Sequence, residues 1–419
     1  MGKKRDPKSD PQNPTYLSMP LVAESEARSE GELLKETRSY CPTCLKELDA
    51  RVFAVHGLVW LFKTCPSHGP SQGLAERNVK FYKAVMNVPP VSEKSKVGLV
   101  IAITHKCNLN CSICFVPKRE REDLTAEQIK KIIEEAEIPW IVMSGGEPTV
   151  RKDLPELLKA TRKAGKHVAI NTNGIRLGNK NYVKKLADHG LEFVILSFNG
   201  LDDEIYRKIN GYPLLDVKSK ALENLIDCHI DTAISPTIIR GINDDLSSLI
   251  KLCFDHVPHV SELRLRGAAY VGRHNEFEPL VMSEMLELLA PTIGYTMDQF
   301  LEEFNPENCY HSVFQWNMHG VFIGKGKKKG KLVYWNPGIY GKTEPSVQDL
   351  QRKIRRECDG EIRSGSLSNA LKTMDINLWH WPDRYNIDLE ETKSHGVTHL
   401  YDNRLVMNFH EAMIRAYDL

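Results

Sequence analysis

The sequence contains no apolar run approaching the roughly 20 residues a membrane-spanning helix needs. It also lacks an excess of either charge. Its 56 Lys and Arg against 55 Asp and Glu leave a formal charge of +1, so nothing marks a surface for nucleic acid or anionic lipid. No repeat recurs at a fixed period, and the opening Met1-Gly-Lys-Lys-Arg has no apolar signal core. What the chain has is cysteine, ten in all. Six of these fall into two metal-ligand clusters rather than the scattered spacing of a disulfide scaffold.

The stretch around which the chain is organised is Thr104-His-Lys-Cys107-Asn-Leu-Asn-Cys111-Ser-Ile-Cys114-Phe115. It follows an apolar run, 97–103, that reads as a buried strand. Three thiolates in C-x3-C-x2-C spacing can hold three irons of a [4Fe–4S] cube, which normally takes four cysteines. One iron is left open, a place to bind and reduce something. Such a cluster survives only in a reducing setting, so the expected location is cytoplasmic.

A second cluster lies upstream, Cys41-Pro-Thr-Cys44 and Cys65-Pro-Ser-His68. Between them, 50–55 and 58–63 read as a hairpin, whose base would bring three thiolates and one imidazole to a single tetrahedral point. That donor set suits zinc, mononuclear iron or an auxiliary iron–sulfur cluster, and a hairpin with so little core needs such a staple.

From 97 to 290 strands and helices alternate, which predicts an α/β fold with a parallel sheet, a partial (β/α)6 barrel. The six predicted strands end in motifs at their C-terminal ends, where parallel sheets bind ligands. These include Gly145-Gly146-Glu147-Pro148, Asn171-Thr172-Asn173, Ser197-Phe-Asn199, and Ser235-Pro-Thr237 with Arg240-Gly-Ile-Asn243. A capping box, Thr125-Ala-Glu-Gln128, opens the first helix. Four domains are expected: a loose arm (1–35, with one short helix near 23–35), a small metal-binding hairpin domain (36–96), the barrel (97–290) and an aromatic-rich α+β region (291–419). That last region carries four of the six tryptophans. A Gly/Lys turn at 325–331 reads as a hairpin tip.

With these motifs in this order, the chain resembles the radical S-adenosylmethionine (SAM) superfamily, whose signature is the cysteine loop with its following aromatic residue. The resemblance implies a [4Fe–4S] cluster on Cys107, Cys111 and Cys114, with SAM chelating the open iron through its amino and carboxylate groups. It implies that Gly145 and Gly146 let the backbone approach the methionyl amine, that Glu147 touches that amine or orders the loop, and that Pro148 fixes the turn. Asn171, Thr172, Asn173, Ser197 and Asn199 are expected to contact SAM or substrate. Ser235, Thr237, Arg240 and Asn243 fall where relatives hold ribose and adenine, and Phe115 would pack on the adenine. A flavodoxin- or ferredoxin-type donor would supply the electron, releasing a 5′-deoxyadenosyl radical that takes hydrogen from an unactivated carbon.

The pair of Cys-Pro knuckles ahead of the barrel is similar to a subgroup that holds the archaeal tetraether lipid synthases and pterin-methylating enzymes. Two departures are visible: Asn199 replaces an acidic residue, and only Cys309 and Cys358 follow the barrel. The expected activity is hydrogen abstraction from a small or lipid-like substrate leading to carbon–carbon bond formation or rearrangement. The alternatives are methyl transfer to a heterocycle and a non-enzymatic redox sensor. Trp379, His380, Trp381, Asp383, Arg384 and Tyr385 are the candidates for substrate contact.

Overall fold

The structure is a computed structural model. It describes residues 22–86, 98–116, 122–269, 272–273, 277–302, 315–323, 332–336, 371–394, 397–401 and 404–406. Most of the N-terminal arm, the Gly/Lys turn at 325–331, and Cys309 and Cys358 lie outside the described residues.

Helix α1 (Glu24–Glu30) precedes four antiparallel strands: β1 (Glu32–Tyr40), β2 (Glu47–Val55), β3 (Leu58–Cys65) and β4 (Gly69–Glu76). The helix expected to run to residue 35 stops at Glu30, because 32–40 pairs along its length with β2 instead. The β2–β3 hairpin turns through His56 and Gly57, both at positive φ. Gly57 accepts that conformation at little cost. Trp60, Phe62 and Leu74 bury one face of this sheet, and α2 (Val79–Val85) leads out of it.

The barrel follows in chain order: β5 (Gly98–Thr104), α3 (Ala126–Glu135), β6 (Trp140–Gly145), α4 (Leu154–Lys163), β7 (His167–Thr172), α5 (Lys180–Asp188), β8 (Phe193–Leu196), α6 (Asp203–Asn210), α7 (Leu215–Asp227), β9 (Asp231–Ile234), β10 (Thr237–Ile238), α8 (Ser247–Asp255) and β11 (Val260–Gly267). The Thr125–Gln128 capping box is present. The six long strands pair in parallel in the order β5-β6-β7-β8-β9-β11.

After α9 (Met282–Ile293) and α10 (Met297–Glu302) come β12 (Gln315–Ile323), β13 (Leu332–Asn336), β14 (Leu371–Trp379), β15 (Val397–Tyr401) and β16 (Arg404–Val406). These C-terminal strands are not a separate layer. β14 adds parallel to β11, and β15 adds parallel to β5, so the sheet is extended at both ends. β12 and β13 form the expected hairpin.

Strand alternation sorts the barrel residues between two faces. Ile101, Ile141, Ile170, Leu196, Leu263 and Ile376 join the core shared with the helices. Their neighbours of opposite parity line the concave face. At the N-terminal end of the strands that face is plugged: Trp140 stacks on His167 at 4.7 Å and meets Phe193 at 6.4 Å. Arg264 lies 5.8 Å over the Phe193 ring. Small side chains follow in the middle (Ala102, Ala169, Ala233), and polar ones at the C-terminal end (Ser144, Asn171, Ser197, Ser235, Arg266). The strands therefore enclose a lumen with an aromatic floor, beside which Arg264 is paired with Glu262, and a polar mouth.

Candidate active site and metal centre

The cysteine loop hangs from the end of β5. The Thr104 hydroxyl and the His105 amide both donate to Asp123, at 2.8 and 2.7 Å. The Gly146 and Glu147 amides donate to the carbonyls of Thr104 and Lys106 at 2.7 and 2.8 Å. The two glycines exist for this contact. A Cβ on Gly145, at φ +126°, would sit 2.1 Å from the Thr104 oxygen, and one on Gly146 would sit 2.4 Å from the Lys106 oxygen. The space they open is filled by the cysteine loop's own backbone.

Glu147 is buried and orders the loop. Its carboxylate accepts from the Thr149 amide (3.0 Å) and hydroxyl (2.5 Å), the Thr172 hydroxyl (2.7 Å) and the Asn173 amide (2.7 Å). Pro148 starts the 3-10 turn that Glu147 caps. Asn173 then bridges back, its amide group donating to Asn108 at 2.7 Å and lying 3.8 Å from the Cys107 sulfur.

The three cysteines form no disulfide and, among the described residues, their sulfurs do not gather within 4.8 Å of one another as ligands of a single ion would. Each lies close to a polar group: Leu109 N to Cys107 Sγ at 3.4 Å, Asn210 Nδ2 to Cys111 Sγ at 3.0 Å, Cys114 Sγ to the Val116 carbonyl at 3.3 Å. Burial pushes the Cys111 thiol up, and the neighbouring Cys114 and Cys107 add to this against Asn210. Three separated thiols with amide donors on two of them fit a cube better than a mononuclear ion.

Two residues of this site were missed by sequence reasoning. Asn210 ends α6, a helix not anticipated although Asp202 caps it and Gly211 closes it. The Ser112 amide donates to the Ile209 carbonyl at 3.0 Å, docking the loop on that helix. Lys218 of α7 is fully buried and donates to the Ser197 carbonyl at 2.6 Å. Burial lowers its ammonium to about 8, while Cys111, Glu147 and Cys107 pull it up. It places a cation beside groups that turn anionic when ligating iron.

The other strand ends divide. Asn199, Thr237 and Asn243 form a buried knot: Thr237 N donates to Asn199 Oδ1 (3.0 Å), and Asn243 Nδ2 donates to the Asn199 and Thr237 carbonyls (2.9 Å each). The Arg240 guanidinium pairs with Glu284. Asn171 and Ser197 are half-buried on the lumenal face. The Ser235 hydroxyl is buried with no partner in the structure, an orphan that a bound ligand would satisfy.

Phe115 stacks on Trp381, centroids 4.2 Å apart and planes within 8°. Trp381 thus closes the lumen mouth from the C-terminal side. His380 is buried, its Nδ1–H donating to the Leu280 carbonyl at 3.0 Å, and burial lowers it to about 4. Trp379 ends β14 opposite Arg266. Asp383, Arg384 and Tyr385 instead make a joint with the N-terminal sheet. Asp383 caps its own turn, Arg384 donates to the Pro42 carbonyl (3.2 Å), and the fully buried Lys63 donates to the Arg384 and Tyr385 carbonyls (2.9 and 2.8 Å). The Thr37 hydroxyl donates to Asp388 at 2.5 Å, and a Cβ on Gly73 would strike Tyr385 backbone at 2.5 Å.

The second centre sits on that N-terminal sheet. Cys41, Cys44, Cys65 and His68 bring one ligand atom each within 4.8 Å of the others. His68 Nδ1 lies 3.6 Å from Cys41 Sγ and 3.4 Å from Cys65 Sγ, and the Cys44 and Cys65 sulfurs are 4.0 Å apart. The Ser67 amide, chiefly, lowers the Cys65 thiol to about 6, which favours the thiolate that a metal takes.

Comparison with known proteins matches residues 101–253 to the radical SAM superfamily and residues 33–77 to the HMPTM N-terminal zinc ribbon domain. A 7,8-dihydro-6-hydroxymethylpterin dimethyltransferase of Methanocaldococcus jannaschii is 34% identical over 58% of this chain and 54% of its own. A GTP 3′,8-cyclase of Clostridium perfringens is 28% identical over 46% of this chain and 61% of its own. The chain thus spans little more than half the length of these relatives. Streptococcus suis SuiB bound to S-adenosylmethionine superposes with a TM-score of 0.41 at 21% identity, over 47% of this chain and 48% of that one.

Proposed function

The chain carries a radical SAM domain behind a zinc ribbon, and from that premise we propose that it removes a hydrogen atom from a carbon of a flat nitrogen heterocycle and forms a carbon–carbon bond there. The observation that carries this reading is the parallel Phe115–Trp381 stack, which stands directly beside the last cluster cysteine. A flat ring entering the mouth would take the place of the contact that Phe115 and Trp381 make with each other, and such stacking is geometrically specific. The relatives named for a pterin and for GTP support the choice. A lipid-like substrate fits poorly, because an acyl chain would strip water from Ser144, Asn171, Ser197, Ser235 and Arg266 without replacing its hydrogen bonds.

The cluster and SAM, when bound, supply the 5′-deoxyadenosyl radical by one-electron cleavage. This chain's residues do the rest. Asn210 and Lys218 offset the negative charge of the cluster thiolates, Glu147 fixes the loop that faces SAM, and Trp381 excludes water from the mouth. With SAM bound, its 5′ carbon would take the hydrogen atom as 5′-deoxyadenosine, and the substrate carbon left with the unpaired electron would be the position at which the new bond forms. A flavodoxin- or ferredoxin-type protein in a reducing compartment delivers the electron. The ribbon metal is zinc, and its role is to hold the sheet that positions 381–392.

Anaerobic incubation with dithionite and SAM should release 5′-deoxyadenosine, increased by 7,8-dihydro-6-hydroxymethylpterin. If the added carbon is a methyl group from a second SAM, S-adenosylhomocysteine accumulates in step with product. No increase with pterin or guanine compounds removes the heterocycle reading.

A further inference from the structure

The lumenal face of β11 carries two arginines one pleat apart, and they are treated differently. Arg264, at the floor, forms a bidentate pair with Glu262, which also takes a hydrogen bond from Asn377. Arg266, half-buried at the mouth, forms no side-chain hydrogen bond or ion pair among the described residues, and its Nε is buried without a partner. The guanidinium lies over the Trp381 ring, 5.7 Å from its centroid. Burial, reinforced by Arg264, lowers it to about 10. A guanidinium stays protonated, so the direction says that the surrounding protein partly desolvates a half-buried charge, and that the charge facing it among the described residues is another cation, Arg264.

The second orphan lies next to it. The Arg266 amide donates to the carbonyl of Pro236 at 3.2 Å, the residue following Ser235, whose hydroxyl is buried and unpartnered. Ser235 directly follows β9, Arg266 is the penultimate residue of the neighbouring β11, and the Arg266 guanidinium lies over Trp381. Buried charge without a partner is costly, and buried polar groups are normally bonded. A ligand bringing an oxyanion satisfies both at once, with the guanidinium fork matching its geometry. SAM is a poor source of that anion, because its carboxylate is expected at the open iron and the ribose expected near Ser235 carries no charge to answer Arg266.

We propose that Arg266 and the Ser235 hydroxyl form an anion subsite at the lumen mouth, and that the substrate heterocycle carries a phosphate or carboxylate group. The heterocycle part rests on the function proposed above, whereas the anion subsite stands on Arg266 and Ser235.

The test uses the anaerobic holoprotein and inorganic phosphate as probe, against chloride at matched ionic strength, read by thermal unfolding and tryptophan fluorescence. Phosphate should raise the unfolding midpoint of the wild type saturably. Its affinity should fall about tenfold or more in Arg266→Gln, where the charged hydrogen bonds are lost, and less in Arg266→Lys. Ser235→Ala, a smaller change to the fold, should weaken phosphate severalfold. Without phosphate, Arg266→Gln should unfold no lower than the wild type, since it removes an uncompensated charge. An equal phosphate response in wild type and Arg266→Gln overturns the proposal. So does loss of the phosphate response when SAM is added, which would assign the subsite to the SAM carboxylate. A phosphate response dependent on Arg266 together with no pterin or guanine effect on 5′-deoxyadenosine release would sink the heterocycle reading and leave the subsite standing.

Discussion

The two cysteine clusters of this chain differ in one geometric respect. In the ribbon, four donors converge within 4.8 Å of one another, so a single ion saturates its coordination with protein ligands and has nothing left to offer. In the barrel loop, three sulfurs stay apart, and the groups around them (Asn210, Lys218, Asn173) offset charge without adding a fourth ligand. Closed coordination builds structure, and open coordination leaves room for chemistry. The two are nevertheless linked, because the sheet that holds the closed site also grips 384–389 through Lys63, Thr37 and Gly73, and 381 covers the open one.

The sharpest way to break this contrast is to delete one ligand from each site. Cys111→Ala should abolish 5′-deoxyadenosine formation while leaving the ribbon zinc content unchanged by metal analysis. Cys44→Ser should do the reverse: the cluster spectrum persists, while zinc is lost and the unfolding midpoint drops, since structural metal binding is coupled to folding. Turnover with substrate should fall as well, because 384–392 is loosened. Retention of zinc in Cys44→Ser would place the metal elsewhere.

A smaller effect is expected at Asn210. Hydrogen bonds to cluster sulfurs help set the potential, so Asn210→Ala should make the cluster harder to reduce, shifting the midpoint of an EPR-monitored titration to more negative values. Loss of that bond should also cost about 1 kcal/mol of stability. An unmoved potential would show that the amide does not act on the cluster.

The last effect concerns pH. Burial raises Glu76 to about 7, against the Ser283 hydroxyl and amide that donate to it. The folded state then binds this proton more tightly than the unfolded state. Its stabilising share is present below the ordinary carboxylate range and is lost as pH rises toward about 7. Glu76→Gln should flatten that part of the decline in unfolding free energy between about pH 4.5 and 7, as followed by denaturant titration. An identical slope in both proteins would count against a protonated Glu76.

Much of the barrel was legible because its signals are local. The strand 193–196 coincides with β8, and the Thr125 capping box forms as read. What was not legible is long-range. Nothing in 371–379 or 397–401 announces that these stretches pair with β11 and β5, since strand pairing depends on neighbours distant in sequence. The helix of Asn210 was passed over for the loop chemistry on either side of it. Lys218 was not singled out at all, because a lysine at the edge of a helical stretch carries no local sign that it is buried. The Gly145–Gly146 pair was read as letting the backbone approach the methionyl amine; that the missing Cβ atoms also admit the carbonyls of Thr104 and Lys106 was not legible.

The most direct test is EPR of the anaerobically reconstituted and reduced protein with and without SAM. The account expects a [4Fe–4S] signal that depends on Cys107, Cys111 and Cys114 and changes on adding SAM, with zinc still bound at Cys41, Cys44, Cys65 and His68. No cubane signal, or one that SAM leaves unaltered, would contradict the open coordination on which the account rests.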